Sequence, residues 1–285
     1  MMRSMFAAIS GLKNHQTMLD VTANDIANVN TIGYKSSRTT FKDSLAQLQR
    51  GGAAPSAAQG GANPAQVGLG SQLSSIDNIM TTGTFQSTGS ATDVGIQGEG
   101  FFVLAPDATN AASATGLRQY TRAGNFTTNA NGDLVTQDGF YVVGFPSPLT
   151  TPAAGQQSIN IPAKSSNFAI SQDGAVSYID QDTTSATFGT RVTAGYLQLA
   201  KFSNQAGLER NSGNRWVASP ASGTAQVGAP GGEYGLTVSG VVEMSNVDLS
   251  QSFTQMITAQ RGFQANSRVI STSDEMLQDL VNLKR

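Results

Sequence analysis

Side chains able to do chemistry are few in this chain of 285 residues and do not converge. The only histidine, His15, has no acidic residue three or four positions away, so nothing would orient it as a general base. Without cysteine and with one histidine, neither a nucleophilic triad nor a zinc site can be assembled, and no Gly-x-Ser-x-Gly elbow occurs. The glycine-rich run Gly95 to Leu104, GIQGEGFFVL, has the wrong spacing for a phosphate loop and leads into β-type residues, not a helix. Asn129, Asn131 and Asp133 offer oxygen atoms around Gly132, but the regular spacing and closing glutamate of a calcium loop are absent. Asp20, Asp25, Asp248, Asp274, Glu275 and Asp279 are scattered, with solvated or capping roles as the expectation for each. No catalytic, cofactor or metal site is expected, and the chain reads as a non-enzyme.

The elements that would have positioned such groups carry a different signal. Over Asn246 to Arg285, side chains recur at Leu249, Phe253, Met256, Gln260, Phe263, Ser267, Ile270, Asp274, Leu277 and Val281, alternating steps of four and three. This is the seam of a long helix seeking a partner helix. Met5, Ile9, Leu12, Gln16, Leu19, Ala23, Ile26 and Asn30 repeat the alternation at the other end, so the two ends are expected to pair. Gly11 and Gly262 lie inside these helices but off the seams, which predicts a close approach by a neighbouring helix there. Between Ser4 and Asn30 the only charges are Lys13, Asp20 and Asp25. Such faces suit other protein surfaces better than water. Ser4 is the expected cap of the first helix, and Asp274 is an expected break or ion-pairing position in the second seam.

The fold class predicted is α+β, with N- and C-terminal helices (1–30 and 246–285) forming a coiled-coil-like inner domain. An extended arm and linker would span 31–70, and a β-rich outer domain 71–245. The linker is read from GGAAPSAAQGGANPAQVGLG, Gly51 to Gly70. Short β-type runs follow, from Gln72–Met80 and Phe101–Leu104 to Gly195–Phe202 and Trp216–Ala218, with Asn131-Gly132, Asp138-Gly139 and Asp173-Gly174 as turns. An aromatic six residues before the turn glycine, at Phe126 and Phe168, gives either a weak repeat or two ordinary hairpins. Loops are expected at Asn110–Gly116, Gly144–Gly155 and Pro220–Gly232.

Composition narrows the classes further. Charged residues make up 13% of the chain against a usual ~25%, and the net charge is −2. That favours subunit contact and lacks the basic footprint of a nucleic-acid binder. No apolar run approaches the ~18 residues of a membrane helix, so no membrane insertion is expected. The first residues, MMRSMFAAISGLKNHQ, do not form a secretory signal, and any export is expected without a cleaved signal peptide.

Three stretches carry a family resemblance. They are SGLKNHQTMLDVTANDIANVNTIGYKSSRTTFKD near the start, GIQGEGFFVL and YTRAGNFTTNANGDLVTQDGFYVVG in the middle, and SGVVEMSNVDLSQSFTQMITAQRGFQANSRVISTSDEMLQDLVNLKR at the end. Together they resemble the bacterial flagellar rod and hook family over most of the chain. The ending is most similar to hook proteins, which implies a subunit that self-assembles into the flexible tubular hook. Length and the linker after Gln49 resemble distal rod proteins, the alternative; a stalked surface binding module is a reading of another class, disfavoured because aromatic residues are only 7% of the chain and scattered. The resemblance implies a helical homopolymer in the extracellular flagellum (hook or basal body), exported by the flagellar type III apparatus. Its implied neighbours are a distal rod protein, a hook-filament junction protein and a hook cap. The assembly seam would be Met5, Ile9, Leu12, Leu19, Ile26, Leu249, Phe253, Met256, Phe263, Ile270, Leu277 and Val281, with Gly11 and Gly262 at close helix contacts.

Overall fold

A computed structural model describes residues 2–52, 54, 60–112, 117–146, 155–183 and 187–282. Part of the expected linker (53 and 55–59) and parts of two expected loops (113–116 and 147–154) lie outside the described residues. The chain forms two compact units.

The first unit contains Met1–Ala27, Ser37–Ile79 and Val247–Arg285. Its N-terminal helix, Met2–Ala27, and C-terminal helix, Leu249–Asn282, have 26 and 34 residues, or roughly 39 and 51 Å of rise. The N-terminal helix begins two residues before Ser4, so Ser4 is not its cap. Asp248 does cap the C-terminal helix, its Oδ1 accepting from the backbone N–H groups of Ser250 (2.8 Å) and Gln251 (3.2 Å).

The expected arm is an antiparallel ribbon. Strand Ser37–Asp43 pairs with Ser71–Asn78, and Ala46–Arg50 pairs with Ala65–Gly68. Ser44 N–H to Gly70 O (2.9 Å) and Leu69 N–H to Leu45 O (2.8 Å) join the two ladders. The base of the ribbon is fastened along the N-terminal helix. The Asn14 amide donates to Ser71 Oγ (2.8 Å), Ser71 N–H donates to Ser10 Oγ (3.3 Å), and Asp25 accepts from Ser37 N–H (3.2 Å). At Gly70, with φ +115°, a Cβ would lie 2.3 Å from Ser10 Oγ, so only glycine lets the strand cross the helix there. The expected boundary at 71 is therefore misplaced: strand pairing carries Ser71–Asn78 into the unit of its partner strand.

The second unit, Asn28–Ser36 with Met80–Asn246, is β-rich. Its main antiparallel path runs Ser165–Ile170, Ala175–Asp180, Arg191–Leu197, Tyr141–Phe145, Phe101–Ala105, Gln119–Thr121, Arg215–Val217 and Glu209–Asn211. The strand Phe101–Ala105 is buried on both faces. Phe102 and Leu104 join one core with Phe126, Leu134, Val142 and Leu197, while Phe101, Val103 and Ala105 join another with Tyr120, Phe202 and Trp216. Alternation along one strand thus divides two cores, which is why FFVLA is apolar throughout. The expected run Gly195–Phe202 is two strands, Arg191–Leu197 and Leu199–Lys201, and the expected loop Pro220–Gly232 contains the short strand Gln226–Gly228.

The Phe126 and Phe168 hairpins share one turn. In each, the N–H of the turn glycine (Gly132 or Gly174) donates to the residue three before it, and that residue's N–H donates to the one after the glycine. The turn Thr136 to Phe140 around Gly139 has the same two bonds without the aromatic spacing. All three glycines have positive φ, +87°, +82° and +76° in chain order. The shared feature is turn chemistry, not a repeat.

Removing side chain from the two-core strand should be costly. Leu104→Ala is expected to lower stability by about 2–5 kcal/mol. Lys164→Ala, at the exposed pair with Asp182, should cost less than about 1 kcal/mol. Urea unfolding followed by fluorescence of Trp216 measures both.

Candidate assembly surface

The two terminal helices pack antiparallel within the first unit. A Cβ on Gly11 would lie 2.7 Å from the Asn266 amide, and one on Gly262 would lie 2.5 Å from the His15 ring. Moving four residues forward on one helix moves four back on the other. Each helix therefore places a polar knob over the other's glycine, and His15 has a packing role in this contact.

The seam is turned from the one expected. Met5, Leu12, Leu19 and Ile26 are half-buried, as are Met256, Ile270 and Leu277. Leu249 and Phe263 of the same line are more open, at 41% and 38% exposure. The second line of each heptad is displaced by one residue. Ile9, Gln16 and Ala23 face outward, and Ala8, His15 and Thr22 take the inner places. Likewise Phe253, Gln260, Ser267, Asp274 and Val281 are exposed, while Ser252, Ala259, Asn266 and Ser273 take the inner places. Asp274 accordingly neither breaks a seam nor is buried; its carboxylate accepts from the Gln278 amide (3.2 Å).

The physical reason is the distance between helix axes. Separation depends on the side chains at the contact, and Ala8, Gly11, Ala259 and Gly262 permit an approach that a row of Phe and Ile would hold apart. Serine and threonine on these faces return their hydroxyls to their own helix: Thr22 to Met18 O (2.8 Å), Ser252 to Asp248 O (2.7 Å) and Ser273 to Val269 O (2.7 Å). They are buried without needing a partner across the contact.

Large apolar side chains are left outside. Phe6 (64% exposed), Ile9 (50%), Phe253 (50%) and Val281 (69%) stand in water with Met2, Ile257, Val269, Met276 and Leu280. No Leu, Ile, Phe or Val is among the fully buried residues of either helix. Exposed apolar side chains in such number are characteristic of protein or membrane contact sites and ligand grooves. Sequence reasoning found the apolar rows but assigned half of them to the wrong side. The signal it passed over was the equally regular row of small residues beside them.

Known proteins match along the whole chain. Family models described as "Flagella basal body rod protein", "Flagellar hook protein FlgE/F/G D1 domain" and "Flagellar basal body rod FlgEFG protein C-terminal" match residues 5–35, 95–178 and 238–283. The flagellar basal-body rod protein FlgG of Bacillus subtilis is 45% identical, with both chains covered in full. The FlgG protein of Agrobacterium fabrum is 38% identical over 96% of this chain and 97% of its own. The flagellar hook protein FlgE of Borreliella burgdorferi is 29% identical over an alignment spanning both chains. A crystal structure of Helicobacter pylori hook protein FlgE2 aligns over 30% of this chain and 24% of that one, at 23% identity and a TM-score of 0.23. The chain belongs to the flagellar rod and hook family of the bacterial flagellum.

Replacing Gly262 by Leu should test the helix contact by its sign. Leucine favours an isolated helix over glycine by somewhat less than the ~1 kcal/mol that alanine does. Against the His15 ring it should instead weaken the pair, so thermal melting followed by circular dichroism is expected to shift downward.

Proposed function

We propose that this chain is a structural subunit of the distal rod of the flagellar basal body, polymerising into a tube through the outward rows of its terminal helices. The exposed apolar side chains support the polymer, because a single chain leaves Phe6, Ile9, Phe253 and Ile257 uncovered while its helices approach through Gly11 and Gly262. Support for the rod over the hook comes from the relatives. Those named rod protein FlgG reach 45% identity at matching length, whereas the hook relative is at 29% over a longer alignment. The preference for the hook drawn from the ending AQRGFQANS and DEMLQDLVNLKR therefore gives way to its alternative. Those residues lie in a C-terminal segment whose family model covers rod and hook proteins together.

On this reading the first partner is another copy of the chain, repeated by a contact that advances along a helix and never closes a ring. The exposed end of the ribbon, with Leu45, Leu48 and Val67, is a second surface for a neighbouring copy. An isolated two-stranded ribbon is marginal in water, and packing against a neighbour would stabilise it. Export through the flagellar type III apparatus remains part of the proposal. The hook-filament junction protein and the hook cap were partners implied by the hook reading and do not follow from this one.

Electron microscopy of basal bodies from a deletion strain separates the readings. Truncated rods are expected, and complete rods lacking only hooks would favour the hook. Phe253→Asp should leave the free chain folded, since the side chain is already half in water. It should abolish assembly, because an unpaired charge buried between copies costs several kcal/mol. Pelleting of the polymer against soluble monomer measures this.

A further inference from the structure

The β-rich unit contains a feature that its place in a polymer does not require. Its N-terminal strap, Asn28–Ser36, is held by residues from the far end of the unit through a buried charge cluster. Lys35 and Glu243 are 1% and 0% exposed, and Lys35 Nζ donates to Glu243 Oε1 at 2.6 Å and to Thr81 O at 2.7 Å. Glu243 Oε1 also accepts from Gly83 N–H (2.8 Å), and its Oε2 accepts from Arg122 Nη1 (3.3 Å). Arg122 Nη2 donates to Gly98 O (2.7 Å).

Further bonds fasten the strap along its length. Gly33 N–H donates to Glu243 O (2.8 Å), and Ser36 N–H donates to Asn246 Oδ1 (2.8 Å). Arg210 Nη2 donates to Lys35 O (2.6 Å) while its guanidinium stacks 4.7 Å over the Tyr34 ring, and the Asn214 amide donates to Ile32 O (2.9 Å). At Gly33, with φ +68°, a Cβ would lie 2.5 Å from the Ala123 nitrogen, so the strap seats directly on backbone.

The cluster has two cations and one carboxylate. Burial pushes Lys35 and Arg122 below their usual pKa values against the pull of Glu243, so neither cation is comfortable there without it. Lys35 and Glu243 are 208 positions apart. The carboxylate of the strap's site is therefore missing until the strand Val241–Glu243 has joined the unit, whichever end of the chain arrives first.

We propose that Lys35, Glu243 and Arg122 form a latch that makes strap docking the closing step of the β-rich unit, conditional on strand Val241–Glu243 being in place. Its use, keeping an exported chain from closing this unit before nearly all of it has emerged, rests on the flagellar export reading above. The latch itself is read on purified full-length chain, whatever that chain's place in the flagellum.

Hydrogen exchange on wild type, Glu243→Gln and Lys35→Met tests it, with Trp216 fluorescence reporting whether the unit is folded. Glu243→Gln leaves two buried cations unpaired and should speed exchange at Gly33 and Ser36 by on the order of 10²–10³-fold. Lys35→Met leaves a neutral Arg122–Glu243 pair and should change the same amides by less than about 10-fold. A Glu243→Gln chain that fails to bury Trp216 while Lys35→Met buries it counts as the same result. In wild-type refolding with pulse labelling, Gly33 should gain protection no earlier than Met244, whose N–H donates to Thr84 O at 2.8 Å. Strap protection preceding Met244, or equal opening by the two substitutions, would overturn the latch.

Discussion

The close approach of two helices through glycine and other small residues is the constraint on which the first unit depends. Gly11 receives Asn266 and Gly262 receives His15, and a side chain at either glycine would collide with that knob. Once this face is turned inward, helical geometry decides the rest: residues a third of a turn away must face out, and in this sequence they include Ile9 and Phe253. The two terminal helices therefore leave their large apolar side chains half-buried or exposed, with none fully buried. That arrangement makes poor sense for a solitary protein and good sense for one whose helices are to be covered by other copies.

The β-rich unit follows the opposite logic. Phe101–Ala105 supplies two apolar cores from its two faces, and Glu243 gathers Lys35 and Arg122 out of water.

Much of this was legible from residue patterns. The β-strand Phe101–Ala105 lies where the β-type run Phe101–Leu104 put it, and both long helices lie where their periodicity put them. Two things were hidden. Heptad spacing locates a row of residues but does not say which neighbouring row faces the partner, and the more hydrophobic row was taken over Ala8, Thr22, Ser252 and Ala259. In soluble helix pairs that choice is sound; here the glycine and alanine positions draw the helices together along the neighbouring row. The pairing of Lys35 with Glu243 was invisible for a different reason, since no local pattern links side chains 208 positions apart.

The central claim is that the outer helical rows are bare in the single chain and covered between copies. The chain has no cysteine, so Phe253→Cys introduces a single thiol into that row. Its reaction with a maleimide should be measured on the free chain and on assembled tubes. Rapid labelling of the free chain and blocked labelling of the polymer are the predicted results; equal labelling in both, or a thiol already shielded in the free chain, would contradict the account.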